Sequence, residues 1–357
     1  MLHKNILVGD NHVIHNWAVA DLAARNALVV TAADKGKVAW QQDTNVFYFL
    51  SNDVGPVWLA ALGVPGATGA AGTGVPVGGT ANQVLAKIDA TDYNTQWVAQ
   101  SGGREVLSAG RTYFVRTDGS NANNGLANTA GGAFLTIQKA IDVVSTTLDM
   151  AGYVVTVQVA DGTYTGNIVS KPLVGNNTLT VQGNTTTPSN VVISVTSLNA
   201  VESFVVGIIL NVNGMKLQTT TSGSTMSTGG GIITFSNIVF GVCVGFHMNS
   251  QSFGRIVGLG NYSITGGAQN HMFAGSGGQI SISSKTVTLT GAPNFSNSYA
   301  GLNLLGHMLY ANNTFSGTAT GKRYEVSMNA ALYVNGAATT YLPGDVAGTT
   351  VTGGVYV

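Results

Sequence analysis

Between Tyr153 and Ser316 the chain runs through short bursts in which apolar and small polar residues alternate, and no stretch gives way to a helical pattern. Tyr153-Val-Val-Thr-Val-Gln-Val159, Thr178-Leu-Thr-Val-Gln182, Val191-Val-Ile-Ser-Val195, Gln279-Ile-Ser-Ile-Ser283 and Thr286-Val-Thr-Leu-Thr290 all carry the alternation. A period of two marks a strand with one buried face, because successive side chains leave opposite sides of the backbone. Turn formers separate the bursts. Gly183-Asn184, Gly229-Gly230, Gly260-Asn261, Gly266-Gly267 and Gly277-Gly278 supply positive φ and tight reversals. Corresponding bursts recur at irregular intervals of roughly 20 to 25 residues, the period of a solenoid whose coils differ in loop length. The pattern predicts a parallel β-helix.

A stack of such coils exposes every second side chain, so the surface chemistry follows from composition. Only 8% of the 357 residues are charged, against roughly 25% in an ordinary globular protein. Ser, Thr, Asn and Gly must therefore coat the outside, a stiff neutral surface suited to carbohydrate or to self-association. Lys plus Arg equals Asp plus Glu at 15 each, which leaves no electrostatic footprint for nucleic acid or an anionic membrane. The single cysteine, Cys243, excludes an intrachain disulfide; between Val242 and Val244 it reads as a small core residue, and no Cys/His cluster suggests zinc. No basic-then-apolar leader opens the chain and no apolar run approaches the roughly 18 residues of a membrane span. The expectation is a protein without membrane insertion that stays inside its cell or leaves within a particle.

Met1 to Leu62 has a different texture. Ala20 to Leu28 predicts a short helix with Leu22 and Ala23 turned inward. Val38 to Gln42 and Val46 to Leu50 predict a hairpin around Asp43-Thr-Asn45, with Trp40, Phe47, Phe49, Trp58 and Leu59 as its core. A unit of roughly 60 residues is marginally stable alone, which points to docking or to partner chains. Glycine then falls at every third position through Gly63, Gly66, Gly69 and Gly72. Only glycine fits the axis of a collagen triple helix, so these triplets imply a homotrimer; the same run also fits a flexible Gly/Ala linker. Further on, Gln83 to Lys87 reads as a strand and Trp97 as an exposed ring able to pack between chains. Ile137, Ile141, Val144 and Leu148 fall on one face of a helix over 134–149, placed to cover the first coil. Asp118 to Gly125 does not read as a calcium loop, because Ser120 and Ala122 take the third and fifth positions and Thr129 stands where an EF-hand needs its bidentate acid.

Several of these segments resemble a known family. Ala20-Asp-Leu-Ala-Ala-Arg-Asn-Ala-Leu28, Thr31-Ala-Ala-Asp-Lys-Gly-Lys-Val-Ala39, Phe47-Tyr-Phe-Leu50 and Trp58 resemble small modules near the N-termini of tailed-bacteriophage fibre and tailspike proteins. Gly78 to Lys87 with Asp92 to Trp97 resembles their connectors. Arg111-Thr-Tyr-Phe-Val115, Asp118 to Leu126, Phe134 to Asp142 and Val159-Ala-Asp-Gly-Thr-Tyr164 resemble the opening of pectate-lyase-like β-helices. Gly321-Lys-Arg-Tyr-Glu325, Tyr341 to Gly348 and Gly353-Gly-Val-Tyr-Val357 resemble a terminal unit that follows phage β-helices. The resemblance implies a mainly β trimer in four parts. Residues 1–62 would be a small α+β virion-anchoring module with Trp17, Trp40 and Trp58 as its anchor rings, and 63–103 a collagen-like neck and connector. Residues 104–320 would form a cap helix and right-handed parallel β-helix, and 321–357 a C-terminal β cap.

Many spikes of that family cleave polysaccharide, and the residues here weigh against it. Glycoside hydrolysis needs two carboxylates roughly 5 to 10 Å apart, yet Ser203 to Tyr324 contains no Asp or Glu. Upstream stand Asp142, Asp149, Asp161 and Glu202. Asp161 reads as a turn-bonding residue and Glu202 as the sole candidate acid, unless Glu325 or Asp345 of another chain completes a pair. A lyase needs a base beside a cation, and Lys171, Lys216, Arg255 and Lys285 are scattered. His247, His271 and His307 lack neighbouring carboxylates and read as core or surface residues. No catalytic, cofactor-binding or metal-binding residue is therefore assigned, and no cofactor is expected. Carbohydrate can still bind through aromatic faces and neutral amides, for which Tyr262, Phe273, Phe295, Tyr299 and Tyr310 are candidates. The expectation is a non-catalytic virion fibre or spike, assembled in the host cytoplasm. It would contact a tail, neck or capsid protein through its N-terminus and bind host surface polysaccharide. A depolymerase with intersubunit carboxylates and a capsid or neck decoration fibre are the alternatives.

Overall fold

A computed structural model describes residues 15–60, 75–81, 83–99 and 103–357 of the chain. The neck glycines Gly63, Gly66, Gly69 and Gly72 lie outside the described residues. The chain divides into two units, Met1–Ser101 and Gly102–Val357.

In the first unit, Trp17–Val19, Val38–Gln41, Val46–Asn52 and Val57–Ala60 form a four-stranded sheet. The expected hairpin is present, with Val38–Gln41 antiparallel to Val46–Asn52 and Asn45 taking the positive φ its turn requires. The expected core is not. Val19, Ala39 and Leu50 are the buried apolar residues, whereas Phe49 and Leu59, paired across strands, are exposed. The helix Leu22–Asn26 is also turned the other way: Leu22 and Ala23 face solvent, and Arg25 is buried with its guanidinium 3.5 Å from the Tyr48 ring centroid. A helix this short has too few turns to fix its facing by periodicity. Trp17 and Trp58 meet edge to face at 5.8 Å, and Trp40 stacks with Phe47 at 6.3 Å; all three Trp rings are half-buried. Trp97 packs over Gly79 and donates its indole N–H to the Pro76 carbonyl at 2.6 Å.

The second unit is a parallel β-solenoid. Strand makes up 44% of the structure and helix 7%, which makes the chain mainly β. The first face runs from Arg111–Val115 through Val155–Val159, Thr178–Gln182, Ile209–Thr219 and Ile232–Phe240 to Val355–Tyr356, each strand parallel to the next. Two of these strands are long and turn a corner at Gly214 and Asn237, both of positive φ. Their later halves build a second face with Val191–Val195 and Tyr262–Ile264. The third face is a separate nine-stranded sheet from Ile168–Val169 to Thr349–Thr350. Successive coils are offset by 23 residues at Asn213 and Ser236 but by 31 at Thr180 and Asn211. The longer coil carries the turn Pro188–Asn190 at its corner, which stretches the spacing beyond that read from the sequence.

Parallel register stacks like on like. Val155, Leu179, Leu210, Ile233, Ile256, Ile280, Met308 and Leu332 form one buried row along the first face, and Met226, Met248 and Met272 form another along the third. Outside, hydroxyls and amides bond from coil to coil, as Thr234 Oγ1 does to Asn211 Oδ1 at 3.0 Å and Gln218 Nε2 to Ser194 Oγ at 3.0 Å. The helix Ile137–Thr147 lies within the expected span, capped by Thr136, whose hydroxyl accepts from the Lys139 N–H. Its Ile137, Ile141 and Val144 enter the same core as the strands. Residues 321–357, set apart as a terminal unit in the sequence, contribute Tyr324–Val326 and Thr349–Thr350 to the third face and Ala331–Tyr333 and Val355–Tyr356 to the first. Met328 is 48% exposed at a corner of positive φ.

Candidate functional site

Along the outside of the third face one register row reads Glu202, Ser227, Asn249, Phe273, Gly301, Glu325 and Thr349. Strand alternation sends these positions outward while Met248, Met272 and Ala300 beside them point into the core. At Gly301 the row has no side chain, and an open groove of about 650 Å³ forms there, lined by Asn270, Phe273, Asn297, Ser298, Asn303 and Glu325 among others. The glycine is needed. A Cβ at Gly301 would stand 2.6 Å from the Asn270 amide nitrogen and 3.2 Å from the Phe273 ring.

One wall is aromatic. Phe273 stacks on Phe246 with ring centroids 4.8 Å apart and planes within 14°, and both rings are half exposed. Beside them Asn270 Nδ2 donates to Ser298 Oγ at 2.7 Å, and Gln251 Nε2 donates to Asn249 Oδ1 at 3.0 Å. Asn270 is buried and its Oδ1 accepts from Asn297 Nδ2 at 3.4 Å, so the amides open to a ligand in the groove are those of Asn297 and Asn303. At the far side Lys322 Nζ and Glu325 Oε2 pair at 2.8 Å. The groove thus offers a flat apolar platform, oriented amides and one neutralised charge pair.

Carboxylates do not converge on it. Glu202 and Glu325 share the register row but lie five strands apart, about 24 Å at the ~4.8 Å strand spacing, well beyond glycosidase reach. Glu202 accepts from Asn199 Nδ2 at 3.0 Å, and Asp345 accepts from the Gly321 N–H at 2.7 Å while lining a different hollow. Asp161 does not bond its own turn; it accepts from Asn184 and Asn190 at 3.0 and 2.9 Å, tying one coil to the next. Asp118 is paired with Arg116 at 2.8 Å. Among the described residues no group of three His, Cys, Asp or Glu could hold a metal, and no helix is long and apolar enough to cross a membrane.

Four of the five aromatic candidates are core. Tyr262, Phe295, Tyr299 and Tyr310 are buried, and only Phe273 reaches the groove. The buried tyrosines join His247 and His271 in one hydrogen-bond relay. His247 Nε2 lies 2.8 Å from the Gly241 carbonyl, and the Nδ1 atoms of His247 and His271 are 3.1 Å apart. His271 Nε2 is 3.0 Å from the Tyr262 hydroxyl, which is 2.7 Å from Tyr310, itself 2.7 Å from Tyr299. The carbonyl can only accept, so it fixes the proton on His247 Nε2 and leaves Nδ1 bare. His271 must then donate from Nδ1 and accept at Nε2. Every proton in the relay follows: Tyr299 donates to Tyr310, Tyr310 to Tyr262, and Tyr262 to His271. Both imidazoles are neutral in this arrangement. Burial lowers His247 to about 4 and puts His271 well below its ordinary value, while it raises all three tyrosines. His307, by contrast, is exposed. Cys243 is buried as expected, its sulfur 3.4 Å from the Thr219 hydroxyl, and burial pushes the thiol up.

Phe246, Asn270, Asn297 and Gly301 were not singled out from the sequence. The signal was the coil offset: Phe246 faces Asn270 and Asn249 faces Phe273 across adjacent strands, a relation visible only once the register is known. Fold and groove define a class, the parallel β-solenoid with a neutral, amide-lined surface site. Comparison with known proteins adds no family to that class: no family model, curated protein or solved structure matches the chain.

Proposed function

We propose that this protein is a phage virion fibre or spike that projects from the particle and binds host surface polysaccharide without cleaving it. The observation that carries this reading is the groove at Gly301, where the Phe246 and Phe273 rings adjoin Asn270, Asn297 and Asn303. A pyranose presents an apolar C–H face and a rim of hydroxyls, which an aromatic platform and neutral amides match. A stiff solenoid suits mechanical projection, and 8% charge suits contact with a neutral polymer. In this reading the solenoid is a right-handed, pectate-lyase-like helix and the chain a homotrimer. Gly63, Gly66, Gly69 and Gly72 would form the collagen-like neck, residues 321–357 the C-terminal cap, and the unit bearing Trp17, Trp40 and Trp58 the anchor to a tail, neck or capsid protein.

The test is titration of host capsule or lipopolysaccharide oligosaccharides into the full chain and into Phe273→Ala and Gly301→Ala. The first variant removes the platform and the second fills the groove; each is expected to weaken binding about tenfold or more, roughly 1.4 kcal/mol. Affinity should hold between low and high salt, because no ligand charge is being screened. Failure of every host glycan to bind, or full affinity in both variants, overturns the reading. Release of reducing ends that stops in Glu325→Gln would replace it with the depolymerase, whose second carboxylate would have to come from another chain.

A further inference from the structure

At the corner where the third face returns to the first, Phe204 with Val206, then Phe253, then Leu304 with Leu305 stand in alternate coils, Met328 follows in the next coil, and all are exposed, Phe253 at 83% and Val206 at 80%. Their backbone makes this costly. Phe253, Leu304, Leu305 and Met328 have φ of 62°, 45°, 63° and 50°, the left-handed region that a Cβ opposes and glycine enters freely. Glycine does hold the same corner in the intervening coils, at Gly230 and Gly277. Large apolar residues thus stand at positions where glycine or asparagine would fold more easily, and they stand there in water.

They also form one continuous strip. A Cβ on Gly229 would meet the Phe204 ring at 2.9 Å, one on Gly230 would meet Val206 at 3.2 Å, and one on Gly277 would meet the Phe253 ring at 2.6 Å. Phe204, Val206 and Phe253 therefore lean over the glycines of the following coil and close the gap. The six residues expose on the order of 700 Å², close to the ~800 Å² per partner of a standard interface.

We infer that this ridge is the surface through which the solenoid packs side by side with further copies of the same chain. Three features select a second copy as the occupant. From Phe204 to Leu304 its large residues recur every second coil, about 9.6 Å at the ~4.8 Å strand spacing, a multiple of the period that another solenoid shares all along its length. It carries no charge of its own, so identical ridges meet without like-charge repulsion. And its exposed apolar area is close to what each partner of a stable interface buries. Asn303 of the groove directly precedes Leu304, so such packing would set a neighbouring chain beside the proposed glycan site. The inference rests on the homotrimeric part of the reading above and not on glycan binding.

The experiment compares the full chain with Phe253→Asn/Leu305→Asn by light scattering across a concentration series. Asparagine tolerates the left-handed backbone, so thermal unfolding of each isolated chain should be preserved. The expected result is a multiple of the chain mass for the natural sequence and at least tenfold weaker association in the variant. Phe253→Cys should in addition form an interchain disulfide under mild oxidation, whereas Thr186→Cys, on an exposed loop away from the ridge, should not. A monomer at every concentration overturns both the homotrimer and the ridge. A multimer that keeps its affinity in the double variant, or in which Phe253→Cys fails to cross-link, overturns the ridge alone. Binding of neutral phosphatidylcholine vesicles by a monomer through these residues would make the ridge a lipid contact and likewise overturn the inference.

Discussion

Coils before Ile232 and coils after it share one backbone but fill it differently. In the earlier coils Val157, Val181, Val212, Ile193 and Leu217 stack in register, and shape decides the packing beyond the first coil, where Tyr113, Phe134 and Tyr164 gather. In the later coils a column of rings runs from Phe235 through Phe240, Tyr262, His271, Tyr299 and Phe315 to Tyr341, with the relay of hydroxyls and imidazoles inside it. Gly258 lies where one style meets the other: it shares the row of Val181 and Val212, and a Cβ there would press on Phe235 at 3.1 Å and Ile282 at 2.9 Å. An aliphatic core tolerates any side chain of similar volume. A buried relay does not, because each polar atom must find its one partner or be desolvated for nothing. The later coils are therefore the more exactingly specified part of the solenoid.

The largest break in that contrast should come from Tyr299→Ala. Losing a fully buried ring costs about 3–5 kcal/mol, and the Tyr310 hydroxyl loses its donor. Because each coil contacts chiefly its neighbours, hydrogen exchange should rise across roughly the Phe235 to Tyr341 coils and leave Val155 to Thr219 protected. Uniform deprotection of both regions would show that the two cores are one cooperative body.

Acid should act on the same half. With His247 lowered to about 4 and an unfolded value near 6.5, the unfolded chain takes up the proton first. Stability is therefore full above pH 6.5, falls as pH drops to about 4, and loses on the order of 3 kcal/mol from His247 at ~1.4 kcal/mol per unit. His271 adds in the same direction. The geometry agrees, since a proton on His247 would set two N–H groups head to head across the 3.1 Å Nδ1 contact, and one on His271 Nε2 would face the Tyr262 hydroxyl that donates to it. Hydrogen exchange at pH 7 and pH 4.5 should show the added opening in the later coils; equal loss in the aliphatic coils would assign it elsewhere.

The smallest effects sharpen the contrast by chemistry rather than size. Tyr310→Phe removes one oxygen from the middle of the relay, leaving Tyr299 without an acceptor and Tyr262 without a donor, for about 1–3 kcal/mol. Ile193→Val removes one methylene from the aliphatic half for about 0.5–1.5 kcal/mol. Urea midpoints of the two variants measure the ratio, and a larger loss for Ile193→Val would show that shape, not bonding, governs both halves.

What the sequence made legible was whatever repeats along the chain. Val155 to Val159 and Thr178 to Gln182 alternate plainly, and Ile137, Ile141 and Val144 mark their helix face. What depends on register was hidden: His247 and His271 are 24 residues apart and look unrelated until stacked, as do Phe246 and Phe273. Backbone sign was hidden too, because Leu304-Leu305 reads as strand-like hydrophobics and not as two left-handed residues at a corner. In the first unit a five-residue helix gave no period from which to tell that Arg25, not Leu22, turns inward.

The parallel ladders have a mechanical meaning. Their hydrogen bonds run across the strands, along the direction in which coils stack. Tension applied between the ends of the solenoid would load those bonds head-on, and one coil at a time, rather than shearing many at once. Such a rod would lengthen by shedding turns of roughly two dozen residues in sequence, each giving way at a similar modest force. It would behave as an extensible tether that yields in steps and takes up slack as released coils rewind.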